Sequence, residues 1–479
     1  MNYKIIRHIL GWVMKIEAIT MLLPLGCAFI FKEQLCVNSF IICILLCLIA
    51  GTALSIKRPE KISMYSKEGF VTVALSWILL SLFGALPFVI SGAIPNYIDA
   101  VFETASGFTT TGSSILTDIE VLPKSMLFWR SFTHWIGGMG VLVFLVALLP
   151  LSGSNNMYLV KAESPGPSVG KLVPKIKTTA KILYIIYIAL TIIQIILLLA
   201  GGMDWFEAST HAFGTAGTGG FSVKNSSISG YSPYLQNVIT VFMILFGVDF
   251  SLYHLILMRK PKLILKSDEL KGYLGIIAVS IILISINCRG LFDSVATTVR
   301  YAAFQVASII TTTGFATDDF NKWPEFSKTI LVVLMFIGAC AGSTGGGIKV
   351  SRVIVLFKSI LKEIRICIHP KNTIKIHMNG RTLEHETLRG INVFVMAYAS
   401  IFTVSLLTIS LDNFDFTTNF TSVAATINNI GPGLSKVGPV GNFSEYSNLS
   451  KLVLTFDMLA GRLEIFPMLV LFSPYTWKK

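Results

Sequence analysis

Apolar runs alternate with short polar segments along the whole chain, and the runs come in two lengths. Ten reach the roughly 20 residues that a helix needs to cross a bilayer. They lie near 9–31, 37–56, 69–92, 124–150, 180–202, 235–258, 271–288, 327–358, 391–411 and 450–474. Four shorter stretches, within 94–116, 204–223, 293–317 and 414–435, begin amphipathic or apolar and then turn into Gly/Thr-rich sequence. A short helix with a glycine-rich return is the pattern of a re-entrant loop. Such backbone is tolerated at membrane depth only when it is buried in protein or lines a polar cavity. The expected fold is therefore an all-α membrane protein.

The four short stretches repeat. With Gly112, Gly219, Gly314 and Gly431 as anchors, the first and third read AVFETASGFTTTG (100–112) and AAFQVASIITTTG (302–314), matching without a gap at eight of thirteen positions. An alanine stands seven residues before each anchor (Ala105, Ala212, Ala307, Ala424). A glycine follows the first three at 28 residues (Gly140, Gly247, Gly342) and the fourth at 30 (Gly461). Single coincidences are common in Gly/Ala-rich membrane chains, but gapless similarity with fixed downstream spacing marks internal repetition. The expected architecture is four pseudo-symmetric helix–pore loop–helix repeats around a central pore. They occupy 61–160, 161–265, 266–385 and 386–479, after an N-terminal helix pair at 1–60.

Composition agrees with this class. Only 14% of residues are charged and 53% are hydrophobic, against about a quarter charged in soluble domains. Long unbroken runs, without the short alternating strands of a β-barrel, favour helices. The net charge of +13 would suggest nucleic acid in a soluble protein. Here the basic residues sit in every second connection, as in Lys57–Lys67, Lys161–Lys181, Arg259–Lys271 and Arg352–Arg389. That is a topology signal, putting those loops and both termini in the cytoplasm, and no nucleic-acid partner is expected. The first span is followed by no small-residue cleavage site and is expected to stay as a helix. Seven cysteines without CxxC spacing read as buried apolar residues, not disulfides or metal ligands. Scattered histidines, three of them in 369–385, give no enzyme-like cluster.

The loops end as TTTGSS (109–114), GTGGFS (217–222), TTTGFAT (311–317) and NNIGPG (428–433), with no acidic residue in any of them. Backbone carbonyls can replace the water shell of a monovalent cation without a fixed charge that would trap it. Glycine supplies the positive φ that lets a strand turn its carbonyls to one side. The candidate ion-binding residues are Thr110, Thr111 and Gly112; Thr218, Gly219 and Gly220; Thr312, Thr313 and Gly314; and Asn429, Ile430 and Gly431. Small-residue helix packing explains Gly137, Gly138 and Gly140 better than it explains these.

The eighth span contains IGACAGSTGGGIKVSR (337–352). At about 1 kcal/mol per glycine relative to alanine, such a helix should break. A loop there suits a gate, with Gly338, Gly342, Gly345, Gly346, Gly347 and Lys349 as its candidate residues. Gly342 and Gly347 have phosphate-loop spacing, but Ile348 stands where lysine is required. Arg462, close to Asp457 and Glu464 in the tenth span, faces either a cavity or a carboxylate. Arg130, His134 and Asp249 pose the same question. His134 reads as a packing or hydrogen-bonding residue, and His211 as part of a pore helix. A proton-coupled carrier would need a carboxylate in the pathway, for which Glu103 and Glu207 are the nearest candidates.

TTTGSS, WRSFTHWIGGMG, ESPGP (163–167), TTTGF, GSTGGGIK, NNIGPG, AGRLE and the terminal SPYTWKK together resemble the TrkH/TrkG/KtrB superfamily of potassium transporters, most closely its TrkH members. The resemblance covers essentially the whole chain. It implies a homodimeric potassium uptake pathway in the bacterial inner membrane, with potassium held at the filter residues and no covalent cofactor. It also implies that 338–347 is an intramembrane gating loop and that Arg462 faces the pore beneath the filter. A cytosolic TrkA-like, NAD/ATP-binding regulatory subunit is expected, so nucleotide would act only through that partner. Gly217 departs from the pattern, since a bulkier residue is expected there.

Overall fold

The computed structural model describes residues 1–57, 65–140, 176–371 and 373–478. The ESPGP segment and residues 141–150 of the expected fourth span lie outside them. An N-terminal hairpin opens the fold, formed by α1 (Tyr3–Thr20), its continuation α2 (Leu22–Ile30) and α3 (Gln34–Ser55). The crossing is set by two glycines. A Cβ on Gly11 would lie 2.6 Å from the Gly51 carbonyl oxygen, and one on Gly51 would lie 2.8 Å from that of Gly11. Small residues let the two backbones meet this closely.

Four units of like construction follow. The first has α4 (Ser66–Gly84) with α5 (Leu86–Ile90), the short α6 (Tyr97–Phe108), a non-helical return, and α7 (Lys124–Gly138). The second has α8 (Ile176–Ala200), short α9 (Trp205–Gly217), α10 (Pro233–Phe246), α11 (Phe250–Leu257) and α12 (Pro261–Ile264). The third has α13 (Asp268–Asn287), short α14 (Val295–Ile310), α15 (Glu325–Ile337) and α16 (Val350–Ile368). A two-stranded hairpin, His377–Met378 with Arg381–Thr382, precedes the last unit. That unit has α17 (His385–Ile409), short α18 (Phe416–Ile427), α19 (Asn448–Arg462), α20 (Phe466–Phe472) and α21 (Pro474–Trp477).

The short helices start where a side chain can satisfy an orphan amide. Asn96, Asp204, Ser294 and Asp415 accept from the N–H of Ile98, Glu207, Thr297 and Thr418 at 2.9, 2.6, 3.1 and 3.0 Å. Each such cap contributes about 1 kcal/mol. These helices end buried: Ala100–Phe108 and Thr421–Ile427 are covered without interruption. The long helices around them differ. Only 22% of the Ala180–Ala200 window and 22% of the His385–Asp412 window is buried, although their mean hydropathies are 2.8 and 2.0. So much apolar surface has hydrocarbon as its natural solvent.

Among the described residues six helices are long and apolar enough to span, fewer than the ten expected. In the first unit the expected span runs on into residues that are not described; in the other three the shortfall lies in the second long helix. The 235–258 run bends by 89° between α10 and α11, where the Asp249 side chain caps α11 by accepting from the Ser251 amide at 2.8 Å. The 327–358 run breaks at Gly338–Lys349, as its glycines predict. The 450–474 run, expected as one helix, also breaks: Glu464 and Ile465 take φ of +55° and +69°, and Pro467 opens α20. Six of the seven cysteines are buried, but Cys367 is exposed, and all seven are free.

Candidate functional site

All four short helices end in one hydrogen-bond pattern. The amides of Thr111, Gly219, Thr313 and Ile430 each donate to the carbonyl five residues back (Ser106, Gly214, Ser308, Ala425) at 2.8 Å. The residue before each is left-handed: Thr110, Thr218, Thr312 and Asn429 have φ of +56°, +57°, +58° and +56°. A β-branched residue with φ above zero is a conformational outlier that its surroundings must hold in place. The residue after each is a glycine of positive φ: Gly112 (+82°), Gly220 (+75°), Gly314 (+84°) and Gly431 (+100°).

This register corrects the second anchor. Gly220, not Gly219, is the counterpart of Gly112, Gly314 and Gly431. Gly219 stands with Thr111, Thr313 and Ile430, and Phe213, not Ala212, answers to Ala105. The downstream glycines shift as well. A Cβ on Gly137 would lie 1.9 Å from the Phe108 carbonyl oxygen, and one on Gly461 would lie 2.0 Å from that of Ile427. Gly137, not Gly140, is therefore the counterpart of Gly461. Composition gave both misreadings, because Gly and Ala are abundant enough to supply a match one or three residues away.

The four strands meet in a closed cycle. A Cβ added to Gly112 would fall 2.0 Å from the Gly219 carbonyl oxygen, and one on Gly220 would fall 1.9 Å from that of Thr313. On Gly314 it would fall 2.1 Å from the Ile430 oxygen, and on Gly431 2.8 Å from the Thr111 oxygen. Each glycine thus makes room for a carbonyl of the next strand, in the order first, second, third, fourth, first. Two side-chain bonds close the last junction: Ser113 Oγ donates to the Gly431 carbonyl at 3.0 Å, and Asn429 Nδ2 to Thr111 Oγ1 at 2.9 Å.

Side chains brace the strands from behind. Thr109 and Thr111 join hydroxyls at 2.8 Å, Thr311 and Thr313 at 2.7 Å, and Asn428 Nδ2 donates to Tyr398 Oη at 2.9 Å. One further position repeats, three residues before the accepting carbonyl: Glu103, His211, Gln305 and Ser422, all buried. Glu103 accepts from Ser114 Oγ at 3.0 Å, from the Ile115 amide at 2.9 Å and from Arg130 Nε at 2.5 Å. Arg130 in turn donates to the Ser222 carbonyl at 3.0 Å. This buried ion pair therefore ties the exit of the first strand to that of the second. Spacing alone did not reveal it, although polar residues at one register in all four short helices were a usable signal. Glu207 pairs with Lys224 at 3.1 Å.

The 338–349 loop runs under two of the strands. Gly338, Gly342, Gly347 and Lys349 have φ of +74°, +77°, +76° and +84°. The Gly346 amide donates to Thr312 Oγ1 at 2.6 Å and the Gly347 amide to the Asn428 carbonyl at 3.1 Å. A Cβ on Gly345 would lie 2.8 Å from the Thr311 oxygen. Lys349 is buried and donates to the Gly345 carbonyl. From outside, Glu269 holds both ends of the loop, accepting from the amides of Ala341 (2.7 Å) and Ser351 (3.1 Å). Arg462 donates to the Thr344 carbonyl at 2.7 Å and to those of Gly137 and Gly138 at 2.5 and 2.8 Å. Nearby, Glu464 pairs with Arg352, and Asp457 accepts from Ser405 at 2.7 Å.

A mostly helical chain with six apolar candidate spans, whose four short strands pack in a closed cycle, has the build of a membrane transport protein. Known proteins agree. Residues 36–479 match the model of the TrkH family, described as "Cation transport protein". The chain is 38% identical over its full length, and that of the relative, to the "Trk system potassium uptake protein TrkH" of Salmonella typhimurium. It is 32% identical to the "Trk system potassium uptake protein TrkG" of Escherichia coli, over 100% of this chain and 99% of that one. The crystal structure of "the Potassium Transporter TrkH from Vibrio parahaemolyticus" superposes over 100% of both chains, with a TM-score of 0.90 at 33% identity. The chain belongs to the TrkH family of cation transport proteins, which is not a family of enzymes.

Proposed function

We propose that this chain is a gated potassium uptake pathway of the bacterial inner membrane, with its selectivity filter in the ring of four strands. One observation carries the reading: the closed cycle in which Gly112, Gly220, Gly314 and Gly431 each abut a carbonyl of the next strand. Carbonyl oxygens so gathered replace an ion's water without trapping it. Thr110, Thr111, Thr218, Gly219, Thr312, Thr313, Asn429 and Ile430 supply the other ligands. The relatives' description as potassium uptake proteins supports potassium as the ion.

The 338–349 loop is the gate, and Arg462 its latch. The loop's contacts with Thr311, Thr312 and Asn428 support this, because a barrier there closes the filter from below. A TrkA-like, nucleotide-binding cytosolic subunit regulates the gate, docking on the basic segment from Lys358 to Arg389. A second copy of the chain completes a homodimer, for which the exposed apolar stripe Phe357, Ile360, Ile364 and Ile368 on α16 offers a surface. Coupling to protons or sodium is the second reading. Glu103 and Glu207 are its candidate carboxylates, and their ion pairs with Arg130 and Lys224 favour the uncoupled pathway.

Flux into proteoliposomes tests the proposal. Rubidium should enter like potassium, with sodium much slower, and collapse of a proton gradient should not stop it. Uptake that ceases with the gradient would establish the coupled reading, and equal sodium flux would remove the filter.

A further inference from the structure

Three strands are braced by side chains of their own repeat, and the second is not. Thr109 with Thr111, Thr311 with Thr313, and Asn428 with Ile430 fill the space behind the first, third and fourth strands, all fully or nearly fully buried. The corresponding residues of the second strand are Gly217 and Gly219, which have no side chains. The space is nevertheless filled. A Cβ on Gly219 would fall 2.2, 2.4 and 2.5 Å from Nδ1, Cγ and Cε1 of His134. One on Gly217 would fall 2.2 Å from the His134 carbonyl oxygen. His134 belongs to α7, in the preceding repeat, and is completely buried.

The ring is held flat against the strand. It stacks on Phe221, the residue after Gly220, with centroids 4.2 Å apart and planes at 20°. Arg130, one turn earlier on α7, sets its guanidinium carbon 3.6 Å from the centroid of the same phenyl ring. Residues four apart share one face of a helix, so a single stripe of α7 supports Gly217, Gly219 and Phe221 together. The Ser106 backbone of the first short helix lies against the imidazole, and the ring itself fills the space that the two glycines leave.

We infer that His134 is a specificity-determining positioning residue: its ring takes the place of the missing threonine pair and fixes the second strand of the ion pathway. This rests on the filter reading above. Without the ring a cavity opens behind Gly219, and the carbonyl of Gly219 that packs on Gly112 is free to shift. A filter quadrant that relaxes accepts a smaller ion more readily, because discrimination depends on the number and field of the carbonyls around the ion.

The test is a double-mutant cycle on the rubidium-to-sodium flux ratio of the full-length protein in proteoliposomes. His134→Ala should lower the ratio by about tenfold, a cavity effect on a well-packed site. Gly219→Thr alone should lower it similarly, since the new side chain collides with the ring. The double variant His134→Ala/Gly219→Thr should recover most of the loss, having restored by threonine the bulk that the other strands carry. His134→Phe, which keeps a flat ring without nitrogens, should stay near the parent ratio. If His134→Ala does not fold, His134→Leu serves in its place, and recovery of Gly219→Thr by the second-site change carries the same weight. A double variant no better than the worse single change overturns the inference. Gly314→Ser is the control. If it lowers the ratio while His134→Ala does not, the filter stands and the role of His134 falls. If neither changes the ratio, the filter reading itself fails.

Discussion

Gly314 leaves no room for a side chain. Its φ of +84° is one that a side chain rarely adopts, and a Cβ would fall 2.1 Å from the Ile430 carbonyl oxygen and 2.9 Å from Pro432 Cδ. Gly314→Ser is therefore expected to lower the potassium-over-sodium ratio by about tenfold, the factor that ~1.4 kcal/mol of differential binding produces. Reversal potentials or paired isotope fluxes check this, and an unchanged ratio removes Gly314 from the pathway. At this scale the sequence was partly legible. TTTG marked the first and third strands outright. The second was misread by one residue because GTGG offers two adjacent glycines, and only the backbone dihedral tells which one turns. His134 was visible as an oddity in an apolar run, but what its ring replaces lies 83–85 positions further on, beyond any local pattern.

Helices carry two further expectations. Arg462, at the end of α19, joins Thr344 of the broken α15–α16 segment to Gly137 and Gly138 of α7 through donations to three carbonyls. Hydrogen bonds from a charged group contribute about 1.5–3 kcal/mol each, so this tie holds the loop firmly. Arg462→Ala should raise unitary conductance or the rubidium influx rate, by about tenfold if one such bond limits opening. An unchanged rate makes the arginine a structural strut. The Gly11–Gly51 crossing joins α1 to α3, outside the four units. Gly51→Leu should cost about 1–3 kcal/mol through overpacking, seen as a lower thermal midpoint in detergent, with ion preference unaltered. A shifted preference would mean that the N-terminal hairpin bears on the ring. Long helices were legible from hydropathy. The breaks in 235–258 and 450–474 were not, because Asp249, Glu464 and Pro467 look like isolated polar or ring residues in otherwise apolar runs.

Across the whole molecule, repetition was the strongest signal in the sequence, and it led to the four-unit plan. What it could not convey is how the units lean on one another. Arg130, paired with Glu103, joins the first to the second through the Ser222 carbonyl, Asn429–Thr111 joins the fourth to the first, and the 338–349 loop lies under the third and fourth. Such pairings join residues from 34 to 318 positions apart, beyond the reach of any local pattern. The cyclic contact of glycine and carbonyl also has a consequence for how damage spreads. It works like an arch of four stones, in which every voussoir bears on the next. Alanine at Gly112 and at Gly220 should therefore not act as two independent lesions: the loss of ion preference in the double variant is expected to be well short of the sum of the single losses, since the first stone to slip has already unseated its neighbours.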